Sequence, residues 1–397
     1  MGSFLYLKND PMKRKLLIFS ALLFGLTNCE DGVEPIRSVD QLEAKLQNLA
    51  ATSTFPGFSV AIVGPDSVVY QHGFGYANLS TRTPFTTATV QPVASVSKTL
   101  IANALLKLVE QGQLTLETNI NDVLPFRVAN PHQPNAIIRV RHLVTHTSGI
   151  VDREEAYKQA YEEGPRATTS LGGYLADYFT STGSLYSADN FSNSAPGAKY
   201  HYSNVASALA AYLVEVKVGE SFANYTQRVI LDAVPLTHAS WVYEDDQASQ
   251  YATLYNEQHQ PYPLYSLVTY PDGGLRASCQ DLSRYLLEMI RGHAGQSRLL
   301  TPASFQTLFS PQFGAGTTPT NLPEKQPNIG IFWAFNRSGR IGHTGSDPGT
   351  TTFVSFDPAK RTGRVLLINS DVESEKQQEQ YARIVAVLQN FENNWKQ

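Results

Sequence analysis

Ser95-Val96-Ser97-Lys98 opens a stretch, 97–111, whose apolar residues Leu100, Ile101, Ala104, Leu105 and Leu108 recur at helical spacing. Gly112 follows as its C-cap. Further helical patterns run over 140–145, 171–180, 204–219, 222–231 and 281–292. Strand patterns flank this block on both sides. Before it, 58–63 and 67–72 read as a hairpin about Gly64-Pro65-Asp66, preceded by a helix over 38–51 with Ser38 as N-cap. After it, 329–335, 338–343, 351–356 and 363–370 read as strands. A closing helix over 373–395 carries Tyr381, Ile384, Val385, Leu388 and Phe391 on one face. Strands at both ends with helices between predict an α+β fold. In it an antiparallel sheet is completed by the N- and C-terminal segments and flanked by terminal helices, with an inserted, mostly helical domain. The expected division is 38–94 with 270–395 for the sheet part and 95–269 for the helical part.

Composition sets limits on function. The chain has 397 residues, 42% hydrophobic and 17% charged, enough apolar material for a sizeable core. Lys plus Arg number 31 against 35 Asp plus Glu, a formal net charge of -4, which gives no basic excess for nucleic acid. Of the nine histidines, His142 and His146 stand four apart, too little alone for a ligand set, and no metal is expected.

Residues 1–28 read as an export signal. Lys13-Arg14-Lys15 is a basic start, and 16–26 is an apolar run too short to cross a bilayer comfortably. Leu26-Thr27-Asn28-Cys29 then resembles a bacterial lipobox, with Cys29 as the lipidated residue and Asn28 departing from the usual small residue. Lipidation of Cys29 would make the membrane a partner and the cell envelope the location, with 29–37 as a tether. The other cysteine, Cys279, then has no disulfide partner and reads as a small buried filler.

Three motifs carry the chemistry. The spacing of Ser95 and Lys98 puts a nucleophile and an amine on one helical face. Burial lowers a lysine's pKa, which lets it act as a base. Ser-x-x-Lys arises by chance in a chain of this length, so its place at a helix start carries the reading. Tyr202-Ser203-Asn204 adds a phenol able to relay a proton and an amide able to hold the lysine or a substrate; Asn204 could equally be an N-cap. His343-Thr344-Gly345 sits at the end of an expected strand. There Gly345 admits close backbone approach and His343 offers a hydrogen bond or a pH-dependent charge, or else the pair is an ordinary turn. The backbone N–H groups of Ser95 and Ser346 could form an oxyanion hole.

Together with Phe74-Gly75-Tyr76-Ala77-Asn78, 143–149, Pro196-Gly197, Gly273-Gly274-Leu275 and 342–345, these motifs resemble the serine β-lactamase-related superfamily of penicillin-recognising hydrolases. That group includes class C β-lactamases, D-Ala-D-Ala carboxypeptidases, D-aminopeptidases and related esterases. The resemblance runs from about Val39 to Phe391. It implies that Ser95 is acylated, that Lys98 shares in its activation, and that Tyr202 is the general base and proton donor. Asn204 would position Lys98 and the substrate amide, and His343, Thr344 and Gly345 would line the substrate-facing strand. The implied site lies at the interface of the two parts, without a cofactor. The family's third motif usually begins with Lys, and here it begins with His343. The expected substrate is therefore a D-amino-acid peptide or an ester, as a small molecule or peptide. A β-lactamase, or a catalytically inactive sensor on the same scaffold, is the alternative. His146 is assigned a structural bond within its loop, and Asp272 a turn.

Overall fold

The computed structural model describes residues 34–395. The leader and Cys29 lie outside them. Helix α1 (Val39–Ala51) precedes strands β1 (Gly57–Val63) and β2 (Val68–Asn78) and the short β3 (Thr83–Pro84) and β4 (Val90–Pro92). A 3-10 turn, Ala94–Ser97, feeds α2 (Lys98–Glu110). The helical part continues through α3 (Val140–Val144), α4 (Glu154–Tyr157), the short strand β5 (Tyr161–Glu163), α5 (Leu171–Phe179), α6 (Asn204–Val218) and α7 (Phe222–Thr226). Then come β6 (Tyr265–Leu267), β7 (Arg276–Ser278), α8 (Cys279–His293) and α9 (Pro302–Phe309). Strands β8 (Asn328–Ile329), β9 (Ala334–Phe335), β10 (Ile341–Asp347), β11 (Thr350–Asp357) and β12 (Thr362–Ile368) lead to α10 (Glu375–Asn394).

The main sheet runs β3-β2-β1-β12-β11-β10-β9-β8. Its pairings are antiparallel, and β1 lies against β12, with Phe58 opposite Ile368 and Val63 opposite Gly363. The α+β class and the completion of the sheet by both termini are as the sequence predicts. Every residue of β1 and β12 is buried, because both faces are covered. On one face Val60, Ile62, Leu366 and Ile368 pack with Leu42 and Leu46 of α1 and with Ile384, Leu388 and Phe391 of α10. On the other, Ala61, Val63, Val365 and Leu367 join Leu286 and Ile290 of α8 and the apolar interior of the helical part. Each buried Leu or Ile here is worth roughly 1.5–3 kcal/mol of transfer free energy. The expected tether is docked at its end: Ile36 is buried, and its N–H donates to Asn390 Oδ1 at 2.8 Å.

Several local readings need correction. Helix α2, read from one apolar stripe, is buried beyond it: Lys98 through Leu106 are all buried, because α6, α9 and the nucleophile turn surround it. The expected strand 329–335 is two short strands, broken where Phe332 takes a φ of 56°. The expected strand 338–343 begins later, because Asn336 Oδ1 accepts from the N–H groups of Ser338 and Arg340 and Gly339 turns with φ 79°. It also ends later, since β11 pairs with it through Asp347. His343-Thr344-Gly345 therefore lies inside β10 rather than at a strand end. The expected helix 222–231 is α7 followed by a π-helical turn, Gln227–Leu231.

Candidate active site

Ser95 sits on the 3-10 turn before α2, directly after Ala94, whose φ is 48°. A non-glycine residue in that region is strained and has to be held by its surroundings. Two bonds from one strand-like segment do so. Val93 N donates to Leu275 O at 2.8 Å, and Leu275 N donates to Ser97 Oγ at 3.1 Å. The Gly273-Gly274-Leu275 stretch thus staples the turn that presents Ser95.

Lys98 begins α2 with its side chain fully buried. Its Nζ donates to Asn204 Oδ1 at 2.7 Å and to the Asp272 carbonyl at 2.6 Å, and it lies 3.1 Å from Ser95 Oγ. Burial lowers its pKa to about 8, against the opposing pull of Asp272, Asp152 and Asp347. Asn204 is the first residue of α6. Ser203 caps that helix by accepting from Ala206 N at 3.0 Å. Asp152 fixes the same helix start, accepting from Asn204 N at 2.7 Å, Val205 N at 3.1 Å and Ser203 Oγ at 2.6 Å.

The Tyr202 phenol is hydrogen-bonded to Ser95, and Lys98 Nζ lies 5.1 Å from its ring centroid. Burial pushes the phenol pKa well above its usual value. The His146 ring stacks on Tyr202 with centroids 4.2 Å apart. Its Nδ1 accepts from Ser203 N at 3.3 Å, so the bond expected within its own loop instead reaches across to the second motif.

Strand β10 forms the opposite wall. Only Ile341 and Gly342 of this strand pair with β9, so residues 343–347 keep one edge without a strand partner, and the nucleophile turn packs there. Gly345 is required by that packing: a Cβ would meet Val93 O at 2.4 Å and Ser95 N at 3.1 Å. The next residue, Ser346, is exposed. Thr344 is buried, and its carbonyl accepts from His343 Nδ1 at 2.7 Å. His343 departs from the sequence reading in one respect. It is buried, and burial with Lys98 nearby pushes its pKa down to about 3, so it is neutral at ordinary pH and carries no charge for a substrate.

The structure thus brings Ser95, Lys98, Tyr202 and Asn204 into one bonded group and sets His343, Thr344, Gly345 and Ser346 beside it. It also adds residues the motifs did not reveal. Asp272, expected as a turn residue, is buried, and Tyr157 Oη donates to its carboxyl at 3.2 Å. Burial raises its pKa to about 7. Asp347 accepts from Tyr161 Oη at 2.5 Å, and burial likewise raises its pKa to about 7. Both are single aspartates beside Gly or Pro, a pattern that in sequence reads only as turn chemistry. Cys279 is a free, buried cysteine, and burial pushes its thiol up to about 12.

The family model described as Beta-lactamase matches residues 42–389. Penicillin-binding protein 4* of Bacillus subtilis is 25% identical over 369 residues, covering 85% of this chain and 73% of its own length. Protein flp of Staphylococcus aureus is 20% identical over 340 residues, and the match takes in 85% of this chain and 64% of that protein's length. Two solved structures share the fold. A penicillin-binding protein homologue from Pyrococcus abyssi, described as octameric, has a TM-score of 0.66 at 22% identity and covers 88% of this chain and 77% of its own. A penicillin binding protein from Bacillus halodurans has a TM-score of 0.66 at 21% identity, over 89% of this chain and 99% of its own. With the family match spanning nearly all the described residues, this chain belongs to the Beta-lactamase family.

Proposed function

We propose that this protein is a serine hydrolase that acylates on Ser95 and releases the acyl group to water, acting on amide or ester carbonyls. D-amino-acid peptides or esters are the substrate class. The bonding of Lys98 carries this reading. Its three partners are Asn204 Oδ1, the Asp272 carbonyl and Ser95 Oγ, and the first two can only accept. A neutral amine uses its two N–H groups on those acceptors and leaves its lone pair for the Ser95 hydroxyl proton. The lowered pKa makes that neutral form accessible near physiological pH.

As Ser95 Oγ attacks the substrate carbonyl, the new C–O bond forms and the hydroxyl proton passes to Lys98. The backbone N–H groups of Ser95 and Ser346 take the developing oxyanion. Collapse breaks the bond to the leaving nitrogen or oxygen. Tyr202, a phenol that burial keeps protonated, donates to that atom and recovers a proton from Lys98. Water then attacks the acyl-enzyme, with Lys98 and Tyr202 handling its proton by the reverse route. The substrate preference rests on β10. His343 supplies no cation for a substrate carboxylate, and Asp347 adds a carboxyl two residues past Gly345. Both features favour ester and peptide carbonyls over β-lactam turnover.

Intact-protein mass spectrometry after exposure to a fluorophosphonate, and separately to a penicillin, tests this reading. An adduct on Ser95 that is missing in Ser95→Ala is expected, with a slow-clearing penicillin adduct. Rapid penicillin hydrolysis would instead indicate a β-lactamase. A folded protein that takes neither reagent would be a binding protein. The export reading remains a proposal too: labelled palmitate should enter the wild type in a bacterial host and not Cys29→Ala.

A further inference from the structure

Beyond the glycine pair that follows Asp272 lies a cavity of about 580 Å³. Ser95, Lys98 and Tyr202 do not line it. Its walls are mostly apolar and aromatic, among them Leu171, Tyr212, Trp241, Leu267 and Tyr270. Volume and lining are those of a small-molecule site.

Three charged residues line this space: Arg166 is exposed, Glu215 half-buried and Arg276 buried. Glu215 is committed to the protein: its Oε1 accepts from Phe222 N at 2.8 Å and from Tyr270 Oη at 3.0 Å. Arg276 is not. Its residue is 5% exposed, its guanidinium donates to the Tyr265 carbonyl at 2.8 Å, and no carboxylate among the described residues forms an ion pair with it. A permanent cation with five N–H donors thus has one neutral acceptor, the face of the Tyr243 ring 6.0 Å away and the more distant pull of Asp347. Burying such a group without a carboxylate in direct contact is costly, and an anion entering the cavity supplies that contact. Arg is also the side chain whose planar fork matches a carboxylate.

We propose that this cavity binds an organic monocarboxylate with an aliphatic or aromatic body, its carboxylate paired with Arg276 and its body packed on Trp241 and Tyr270. The carboxylate could belong to a free ligand or to one end of the substrate acylated at Ser95. Gly273 links the two places: it lines the cavity, and a Cβ on it would stand 3.8 Å from the Ala94 carbonyl carbon in the nucleophile turn.

Binding is measured on wild-type protein and on Ser95→Ala by calorimetry and tryptophan fluorescence, so the result does not depend on the chemistry at Ser95. The probes are 4-phenylbutyrate and octanoate, each against its uncharged alcohol. Saturable binding is expected, with each acid preferred over its alcohol by roughly tenfold or more. Arg276→Leu should abolish that preference while the chain still takes a fluorophosphonate on Ser95. Ala167→Trp, which leaves Arg276 in place and narrows the cavity, should weaken acid and alcohol alike. Equal affinity for acid and alcohol, an undiminished preference in Arg276→Leu, full affinity in Ala167→Trp, or no saturation at millimolar probe would each overturn the proposal. With the site established, competition between 4-phenylbutyrate and fluorophosphonate labelling identifies the carboxylate as part of the substrate, and unaltered labelling identifies a separate ligand.

Discussion

Lys98 is a base only as far as its surroundings let it lose a proton. Burial drives that loss, while the carboxyls of Asp272, Asp152 and Asp347 resist it. The rate of fluorophosphonate labelling should therefore rise with pH and level off above about 8, where Lys98 is neutral. In Asp272→Asn the backbone carbonyl that accepts from Lys98 is kept and the carboxyl is lost, so the midpoint should move to lower pH. An unmoved midpoint would show that another group controls the rise. Asp347 makes a second, thermodynamic prediction. Its carboxyl titrates near 7 in the fold against an ordinary 3.8, so the fold disfavours its ionised form. That cost is absent below pH 3.8, grows between the two values and is complete above about 7. Asp347→Asn keeps an acceptor for Tyr161 and should raise stability at pH 8 by about 1–3 kcal/mol, with no gain at pH 4, as read by thermal unfolding. Spacing alone placed Ser95 and Lys98 on one helical face; that Tyr202 and Asn204 would join them came from the resemblance of the three motifs to a known family. Asp272 and Asp347 were not legible, because what makes them unusual is burial by segments distant in sequence.

At the level of elements, the site depends on how closely β10 approaches the turn before α2. Gly345→Ala would drive a methyl into Val93 O, 2.4 Å from its position, and push Ser95 away from the strand edge. Labelling of Ser95 should fall by at least about tenfold while the far-ultraviolet circular dichroism stays native; a near-normal rate would mean the strand edge is not part of the acylation geometry. The element boundaries show what local pattern conveys. Asn204–Val218 was readable from its apolar pattern, but its N-cap is Ser203, one residue before the Asn204 that the sequence offered, and Gly219 with φ 70° closes it. The strand carrying His343 was misplaced by a few residues because its length is set by pairing with β11, a tertiary fact. The same holds for α2, whose apolar stripe gave no hint that its remaining faces are buried as well.

For the whole molecule, the terminal helix is tied to the sheet by a buried charge group. Glu392 Oε1 meets Arg340 at 2.9 Å, and its Oε2 meets Arg364 Nε at 3.0 Å, with all three side chains at or below 8% exposure. Thr362 Oγ1 also donates to Glu392 at 2.7 Å. Glu392→Gln removes the carboxylate buried between the two guanidinium groups and should cost about 3–5 kcal/mol in chemical denaturation, far more than an exposed pair such as Arg383 with Glu379. A loss below 1 kcal/mol would show that the arginines find other partners. The α+β class was legible because strand patterns stood at both ends of a helical block. Which strand lies beside which was not, because antiparallel pairing over hundreds of residues leaves no local trace.

The place of β1 beside β12 also has a consequence for biosynthesis. Phe58 has to wait for Ile368. At ordinary translation speeds the ribosome takes about 15–60 s to make the intervening chain. Through that interval the first hairpin has left the exit tunnel with a bare, apolar edge and nothing of its own to lie against. Its safekeeping belongs to whatever factor holds the nascent chain, and a transcript truncated before β12 yields a product with no way to hide that edge.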